Sequence, residues 1–124
     1  MARILVVDDS AVVRRMLGLV LGDAGHEVSF AVNGELGLAA MRAARPDLIV
    51  SDLEMPVMDG IAFVRELKGE PATHGIPVVM LTASGEADLH RAAAAAGVDG
   101  FATKPVRSTE VMGLVSGLLG RTAE

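Results

Sequence analysis

The chain has 124 residues, 51% of them hydrophobic, and a formal net charge of −5 at pH 7. This length suits one domain that can bury a hydrophobic core, and this composition argues against intrinsic disorder. The lack of cysteine excludes disulfides, thiolate metal sites and cysteine nucleophiles.

No apolar stretch of the sequence approaches the roughly 20 residues that a membrane-spanning helix needs. The apolar run at the N-terminus is too short for a signal peptide and meets acidic residues at once. The acidic net charge and the lack of a Lys/Arg cluster argue mildly against binding to nucleic acid. We therefore expect a cytoplasmic domain that binds neither membranes nor nucleic acid.

The first half of the chain contains three predicted strands and two predicted helices. Residues 3–7 are continuously apolar, as in a strand covered on both faces, and Ser10 is a suitable N-cap for the helix that follows. The apolar residues of that helix recur at helical spacing: Val13, Met16, Leu17, Val20 and Leu21. Residues 27–32 alternate like a strand, a second helix begins at Asn33, and residues 48–52 form the third strand.

The second half continues the alternation. A third helix follows Gly60, and residues 77–82 form a fourth strand. The fourth helix, over about residues 86–96, is nearly all alanine on one side, so we expect it to be lightly held because alanine buries little area. A short strand over residues 100–103 precedes the last helix. That helix has the cleanest amphipathic pattern: Val111, Leu114, Val115, Leu118 and Leu119.

Strand and helix thus alternate five times, which predicts a parallel sheet with helices on both faces. In such sheets, ligands bind beyond the carboxyl ends of the strands. Polar residues end four of the five strands, so we expect them to meet at one edge of the sheet. They are Asp8 and Asp9 after the first strand, Asp52 on the third, Thr82 on the fourth and Lys104 after the fifth.

This set of side chains has a definite chemistry. Three neighbouring carboxylates repel one another and attract a hard divalent cation, Mg²⁺ or Mn²⁺. A lysine and a hydroxyl facing the same point suit the oxygens of an incoming phosphoryl group. A carboxylate beside the bound cation can then attack phosphorus and form an acyl phosphate.

Four motifs at these strand ends carry a resemblance to a known family. They are Val6-Val7-Asp8-Asp9-Ser10, Asp52-Leu53-Glu54-Met55-Pro56-Val57-Met58-Asp59-Gly60, Thr82-Ala83 and Lys104-Pro105. From Arg3 to about Gly120, the chain resembles a bacterial response-regulator receiver domain of two-component signal transduction, of the stand-alone, chemotaxis-regulator-like type. The resemblance implies one receiver domain over residues 1–124, with a doubly wound (βα)5 fold and the flavodoxin-like strand order 2-1-3-4-5.

The resemblance also implies a role for each acidic residue. Asp52 would be the phosphoacceptor. Asp9 and Asp52 would bind Mg²⁺ directly, with the backbone carbonyl of Glu54 as a third ligand, and Asp8 would act through a metal-bound water. The side chain of Glu54 lies at the rim, where we hypothesise that it repels anionic donors and hydroxide or pairs with Lys104.

The remaining site residues would form the switch. Lys104 would pair with Asp52 before transfer and with the phosphoryl oxygens afterwards, and the Lys104–Pro105 bond is often cis in such domains. Thr82 would move toward the phosphoryl group, and Phe101, at the switch-aromatic position, would swing inward as Thr82 leaves. The resemblance also implies that Ser84, two residues after Thr82, would tune loss of the phosphoryl group.

Other polar residues have simpler interpretations. Asp59, before Gly60, is predicted to be a turn or cap residue rather than a ligand. His26, His74 and His90 are isolated in the sequence and are predicted to be neither ligands nor bases.

The resulting prediction is a signalling domain rather than an enzyme. It would take a phosphoryl group from a sensor histidine kinase or a histidine phosphotransfer protein and release it slowly by autodephosphorylation. We expect no output domain after the last helix, so the fourth helix, fifth strand and fifth helix would present a changed surface to an unidentified downstream protein. Two alternatives stay open: an aspartyl-phosphate phosphohydrolase acting on an external substrate, and a docking module that does not switch.

Overall fold

The computed structural model describes residues 2–83 and 87–122. Five strands are present: β1 (Arg3–Val7), β2 (Glu27–Ala31), β3 (Leu48–Asp52), β4 (Val78–Thr82) and β5 (Gly100–Thr103). Five helices alternate with them: α1 (Ala11–Asp23), α2 (Gly34–Ala43), α3 (Gly60–Lys68), α4 (Ala87–Ala96) and α5 (Ser108–Thr122). Within the described residues, no helix is long and apolar enough to cross a membrane.

The strands form one parallel sheet in the order β2-β1-β3-β4-β5. One face of the sheet packs against α2 and α3, through residues such as Met41 and Phe63. The other face packs against α1 and α5, through residues such as Leu17 and Val115. The predicted fold class and strand order are thereby confirmed.

The bounds of two strands differ slightly from the sequence prediction. β2 ends at Ala31 instead of residue 32, because the Ala31 carbonyl accepts a hydrogen bond from Asp8 N while Val32 turns out to solvent. β4 begins at Val78, and Pro77, which has no N–H to donate, contributes only its carbonyl, bonded to Ile49 N. Residue 86, the predicted start of the fourth helix, lies outside the described residues, as does Ser84.

Side-chain caps define the start of three helices. Ser10, Asn33 and Asp59 each accept a hydrogen bond from the backbone N–H three residues further on. These bonds satisfy donors that the first turn of a helix leaves unpaired. The prediction that Asp59 is a cap is therefore confirmed.

From β1 the chain adds β2 on one side of the sheet, and it then adds β3, β4 and β5 on the other side. The strand order therefore switches between the neighbouring strands β1 and β3. In doubly wound sheets, this switch point opens a crevice at the carboxyl ends of the strands. The crevice lies where β1 leads to Asp8 and β3 ends at Asp52.

Candidate functional site

The charged residues at the strand ends meet as the sequence predicts, whereas the Thr82 hydroxyl pairs with His90 instead. Carboxylate oxygens of Asp8, Asp9 and Asp52 all lie within 4.8 Å of one another. Lys104 directly follows the edge strand β5, and its Nζ lies 3.2 Å from Asp52 Oδ2 and 3.5 Å from Asp8 Oδ2. Three acids and one ammonium group therefore share one pocket.

Asp8 is the most deeply buried of these three acids. Its side chain is fully buried, and Oδ1 accepts a hydrogen bond of 2.8 Å from Ser10 N. Its backbone carbonyl accepts a second bond of 2.8 Å from the Arg14 guanidinium. The other carboxylate oxygen, Oδ2, is buried without a hydrogen-bond partner among the described residues. A buried carboxylate oxygen in this state needs a cation nearby, and Lys104 supplies only part of the compensation at 3.5 Å.

Burial and crowding weaken the acidity of Asp52. Burial, followed by the negative charge of Asp8, raises the pKa of Asp52 to about 6, although the ammonium of Lys104 opposes both effects and Asp9 adds a smaller increase. Burial lowers the pKa of Lys104, but the charges of Asp52 and Asp8 outweigh it, so that this pKa is raised overall. The site is thus short of positive charge even with its lysine fully protonated.

The donor set fits a hard divalent cation. The three acids offer carboxylate oxygens, and the orphaned Asp8 Oδ2 marks the place where positive charge is missing. Beside them a cleft of about 250 Å³ is lined by Asp9, Asp52, Leu53, Glu54, Ala83 and Lys104. This composition suits Mg²⁺ or Mn²⁺ with water in part of its coordination shell.

Glu54 stands at the rim of this cleft with an exposed side chain. Lys104 forms ion pairs with Asp8 and Asp52, and none with Glu54, among the residues described. The hypothesis that Glu54 pairs with Lys104 therefore finds no support, and repulsion of anions stays as the hypothesis for this side chain.

The loop after Asp52 is held tightly against the strand end. Gly60 donates its N–H to the Leu53 carbonyl at 2.8 Å, and a Cβ on Gly60 would lie 2.3 Å from the Asp52 carbonyl oxygen. Only glycine allows so close an approach. Within the loop, Val57 has φ of 71°, an unfavourable conformation for a β-branched residue that sequence reasoning did not predict.

The backbone also fixes Lys104. The peptide bond between Lys104 and Pro105 is cis, as the resemblance implies. The N–H of Lys104 donates to the Thr82 carbonyl at 2.7 Å, which continues the pairing of β4 with β5 by one residue. The lysine therefore leaves the sheet beside the strand that ends in Thr82.

Thr82 and Phe101 lie on neighbouring strands and share a contact that the sequence analysis missed. The Thr82 hydroxyl is buried, and Oγ1 shares a hydrogen bond of 2.9 Å with Nε2 of His90. The His90 ring stacks on Phe101, with centroids 4.7 Å apart and an interplanar angle of 11°. His90 precedes the buried Ala93 by three residues, so helical spacing was the signal that placed it on the inward face of α4.

Comparison with known proteins decides the family. A model of the response regulator receiver domain matches residues 4–116. The chain belongs to this family. Receiver domains of two-component response regulators are signalling modules that receive phosphoryl groups from histidine kinases and bind Mg²⁺ at an acidic pocket.

Relatives and solved structures agree with this membership. The phosphate regulon transcriptional regulatory protein PhoB of Pseudomonas aeruginosa is 38% identical over 119 residues, which are 96% of this chain and 52% of that protein. The chemotaxis response regulator CheY4 of Vibrio cholerae superposes with a TM-score of 0.90 at 35% identity, covering 95% of this chain and 98% of CheY4. A response regulator of Chloroflexus aurantiacus superposes with a TM-score of 0.92 at 34% identity, covering 96% of this chain and 98% of that protein. The receiver domain thus spans about half the length of the curated relatives it matches first.

Proposed function

We propose that this receiver domain is a phosphoacceptor switch, with Asp52 as the acceptor and a phosphohistidine as the donor. The donor would be a sensor histidine kinase or a histidine phosphotransfer protein. The observation that carries the proposal is the position of Asp52 Oδ2, 3.2 Å from Lys104 Nζ and within 4.8 Å of the carboxylates of Asp8 and Asp9. A nucleophile, a fixed cation and a place for a metal ion are thereby combined in one pocket.

In the transfer, a carboxylate oxygen of Asp52 attacks phosphorus in line with the phosphorus–nitrogen bond of the donor. The Asp52 oxygen–phosphorus bond forms as the phosphorus–nitrogen bond breaks, and the leaving imidazole takes up a proton from solvent. Lys104 neutralises Asp52 beforehand and contacts the phosphoryl oxygens afterwards, because its Nζ already faces this carboxylate. Asp9, Asp52 and the Glu54 carbonyl would hold Mg²⁺, with Asp8 acting through water, and the bound ion would supply charge neutralisation for the phosphoryl oxygens.

The phosphorylated form would differ at one side of the domain. The phosphoryl group adds about −1.5 to −2 charge at pH 7 and attracts the hydroxyl of Thr82. Phe101 then takes the space that Thr82 vacates, which changes the surface made by α4, β5 and α5. An unidentified downstream protein reads this surface until slow autodephosphorylation returns the domain to its resting state.

Intact mass spectrometry after incubation with phosphoramidate, with and without Mg²⁺, tests the proposal. We expect an adduct of one phosphoryl group that requires Mg²⁺ and is absent in Asp52→Asn. Asp59→Asn is the matched control, because it removes a carboxylate from the same loop while asparagine also caps a helix. An adduct that persists in Asp52→Asn, or that disappears in Asp59→Asn, would contradict the assignment of Asp52.

A further inference from the structure

We infer that His90 is a positioning residue of this switch: it holds the Thr82 hydroxyl and the Phe101 ring in their resting arrangement. The inference rests on the proposed function, because it concerns what a phosphoryl group on Asp52 must displace. His90 lies in α4, outside the four sequence motifs that carry the resemblance to receiver domains.

The first contact of His90 is the hydrogen bond with Thr82. The Thr82 side chain is 1% exposed, so its hydroxyl has no access to bulk water. A buried hydroxyl without a partner is costly, and the 2.9 Å bond to His90 Nε2 supplies that partner. The resting position of Thr82 is therefore stabilised by a side chain on α4, and its hydrogen bond is not made with Asp52.

The second contact is the stack on Phe101. The two rings are nearly parallel, with centroids 4.7 Å apart, and Phe101 is only half-buried in this position. Aromatic pairs in this arrangement attract each other beyond the area they bury. One histidine thus restrains both partners of the expected switch, one on β4 and one on β5.

The rest of α4 provides little to replace these contacts. Its fully buried residue is Ala93, and its Asp88–Arg91 ion pair is exposed to solvent. Alanine buries little apolar area, so α4 is held weakly by its other side chains. His90 therefore connects the position of α4 to the position of Thr82.

This arrangement makes the bond between Thr82 and His90 a barrier to activation. The Thr82 hydroxyl must leave His90 Nε2 before it reaches a phosphoryl group on Asp52. A variant that keeps the ring but loses the hydrogen bond destabilises the resting state selectively. His90→Phe is such a variant, whereas His90→Gln keeps a hydrogen-bonding group and loses the ring.

The test measures the rate of adduct formation on Asp52 with phosphoramidate and Mg²⁺ by intact mass. We expect His90→Phe to react faster by about fivefold, the factor that corresponds to the typical net contribution of one hydrogen bond. His90→Gln should lie between His90→Phe and the unsubstituted protein. Arg91→Gln, an exposed change on the next residue of α4, should stay within twofold of the unsubstituted protein.

A background of Thr82→Val separates positioning from a general effect on folding. With no hydroxyl to release, His90→Phe should change the rate by less than twofold. A rate for His90→Phe in the normal background within twofold of the unsubstituted protein would overturn the inference. So would an acceleration that persists in Thr82→Val.

Urea unfolding of the unsubstituted protein, His90→Phe, Thr82→Val and the double variant tests the contact without any phosphoryl group. The losses of stability from His90→Phe and Thr82→Val should be non-additive, because either change alone breaks the same hydrogen bond. Additive losses would overturn the inference even if Asp52 is phosphorylated as proposed. Failure of the unsubstituted protein to form an adduct would instead overturn the proposed function, and the unfolding cycle would still report on His90.

Discussion

At the scale of single residues, the pocket is defined by an imbalance of charge. Asp8 and Asp52 are buried beside each other, and Lys104 is the cation that contacts both. Burial of a carboxylate without full compensation raises the free energy of its charged form. The raised pKa of Asp52 and the unpartnered Asp8 Oδ2 are two consequences of this one cause.

Removing the charge of Asp52 should stabilise the metal-free protein. The folded protein keeps the Asp52 proton up to about pH 6, whereas an unfolded chain releases it near 3.8, so the stability of the unsubstituted protein falls as pH rises between these values. Asp52→Asn lacks this loss. Its free energy of unfolding in EDTA should exceed that of the unsubstituted protein by about 1–3 kcal/mol at pH 7 and by almost nothing below pH 4.

Urea denaturation at a series of pH values measures this difference. Asp59→Asn is the control, since that side chain caps a helix at the exposed end of the loop. A difference between Asp52→Asn and the unsubstituted protein that stays constant from pH 4 to pH 7 would contradict the shifted pKa.

Mg²⁺ should reverse the same imbalance. A ligand that binds only the folded protein raises its stability, by about 2.7 kcal/mol at one hundred times the dissociation constant. We expect MgCl₂ to raise the Tm of EDTA-treated protein, and Asp9→Asn to lose most of that increase. Glu54→Ala should keep it, because the proposed ligand there is the backbone carbonyl. An equal loss in both variants would show that the Glu54 side chain binds the metal.

At the scale of elements, the pocket depends on the close packing of β3, the following loop and α3. Gly60 begins α3 directly against the end of β3, and the cap at Asp59 sets the direction of the helix. The Pro56–Gly60 loop therefore leaves Asp52 at its place in the crevice while returning the chain to the face of the sheet. α4 contrasts with α3, because it is anchored by one buried alanine and by His90.

Gly60→Ala should disturb this junction. The new Cβ would lie 2.3 Å from the Asp52 carbonyl oxygen, a backbone atom that can move only if β3 or α3 shifts. We expect a loss of about 1–3 kcal/mol in the free energy of unfolding, typical of overpacking, and slower adduct formation on Asp52.

Gly113→Ala is the matched control for this prediction. An added Cβ there meets nothing within 4 Å, and the residue lies inside α5. Alanine should therefore stabilise that helix by about 0.5–1 kcal/mol without changing adduct formation. Equal effects of the two substitutions would mean that Gly60 has no special packing role.

At the scale of the whole molecule, the sheet separates two hydrophobic cores. It also connects the pocket at Asp52 to β4, β5 and the neighbouring helix α4. The core under α2 and α3 and the core under α1 and α5 both contain fully buried strand residues. Packed cores of this kind resist gradual deformation. A local change at Asp52 should therefore be taken up by the weakly anchored α4 and by β5, the edge strand beside it.

Amide hydrogen exchange with and without the phosphoryl adduct tests this expectation. Protection should change over residues 87–103 and stay nearly constant in α2, which is packed on the opposite half of the sheet. The same treatment of Asp52→Asn should change neither region. Equal changes in α2 and in residues 87–103 would contradict a response confined to the side of α4.

The sequence by itself determined most of the fold and the chemistry of the pocket. Apolar runs ended by Asp8, Asp52 and Lys104 predicted both the strands and the edge at which these charges meet, because parallel strands present their carboxyl ends on one side. The strand order and the individual roles came from the resemblance to receiver domains, since alternation alone does not decide which strands are neighbours.

Only the tertiary structure decided how the site is held. Asp8 is fully buried while the adjacent Asp9 is exposed, and His90 reaches Thr82 from a helix whose side-chain pattern says little about its partners. Local patterns record which side of an element faces inward, because that depends on spacing along the chain. They do not record which side chain meets which, because that depends on how separate elements pack, and here it links His90 to both Thr82 and Phe101.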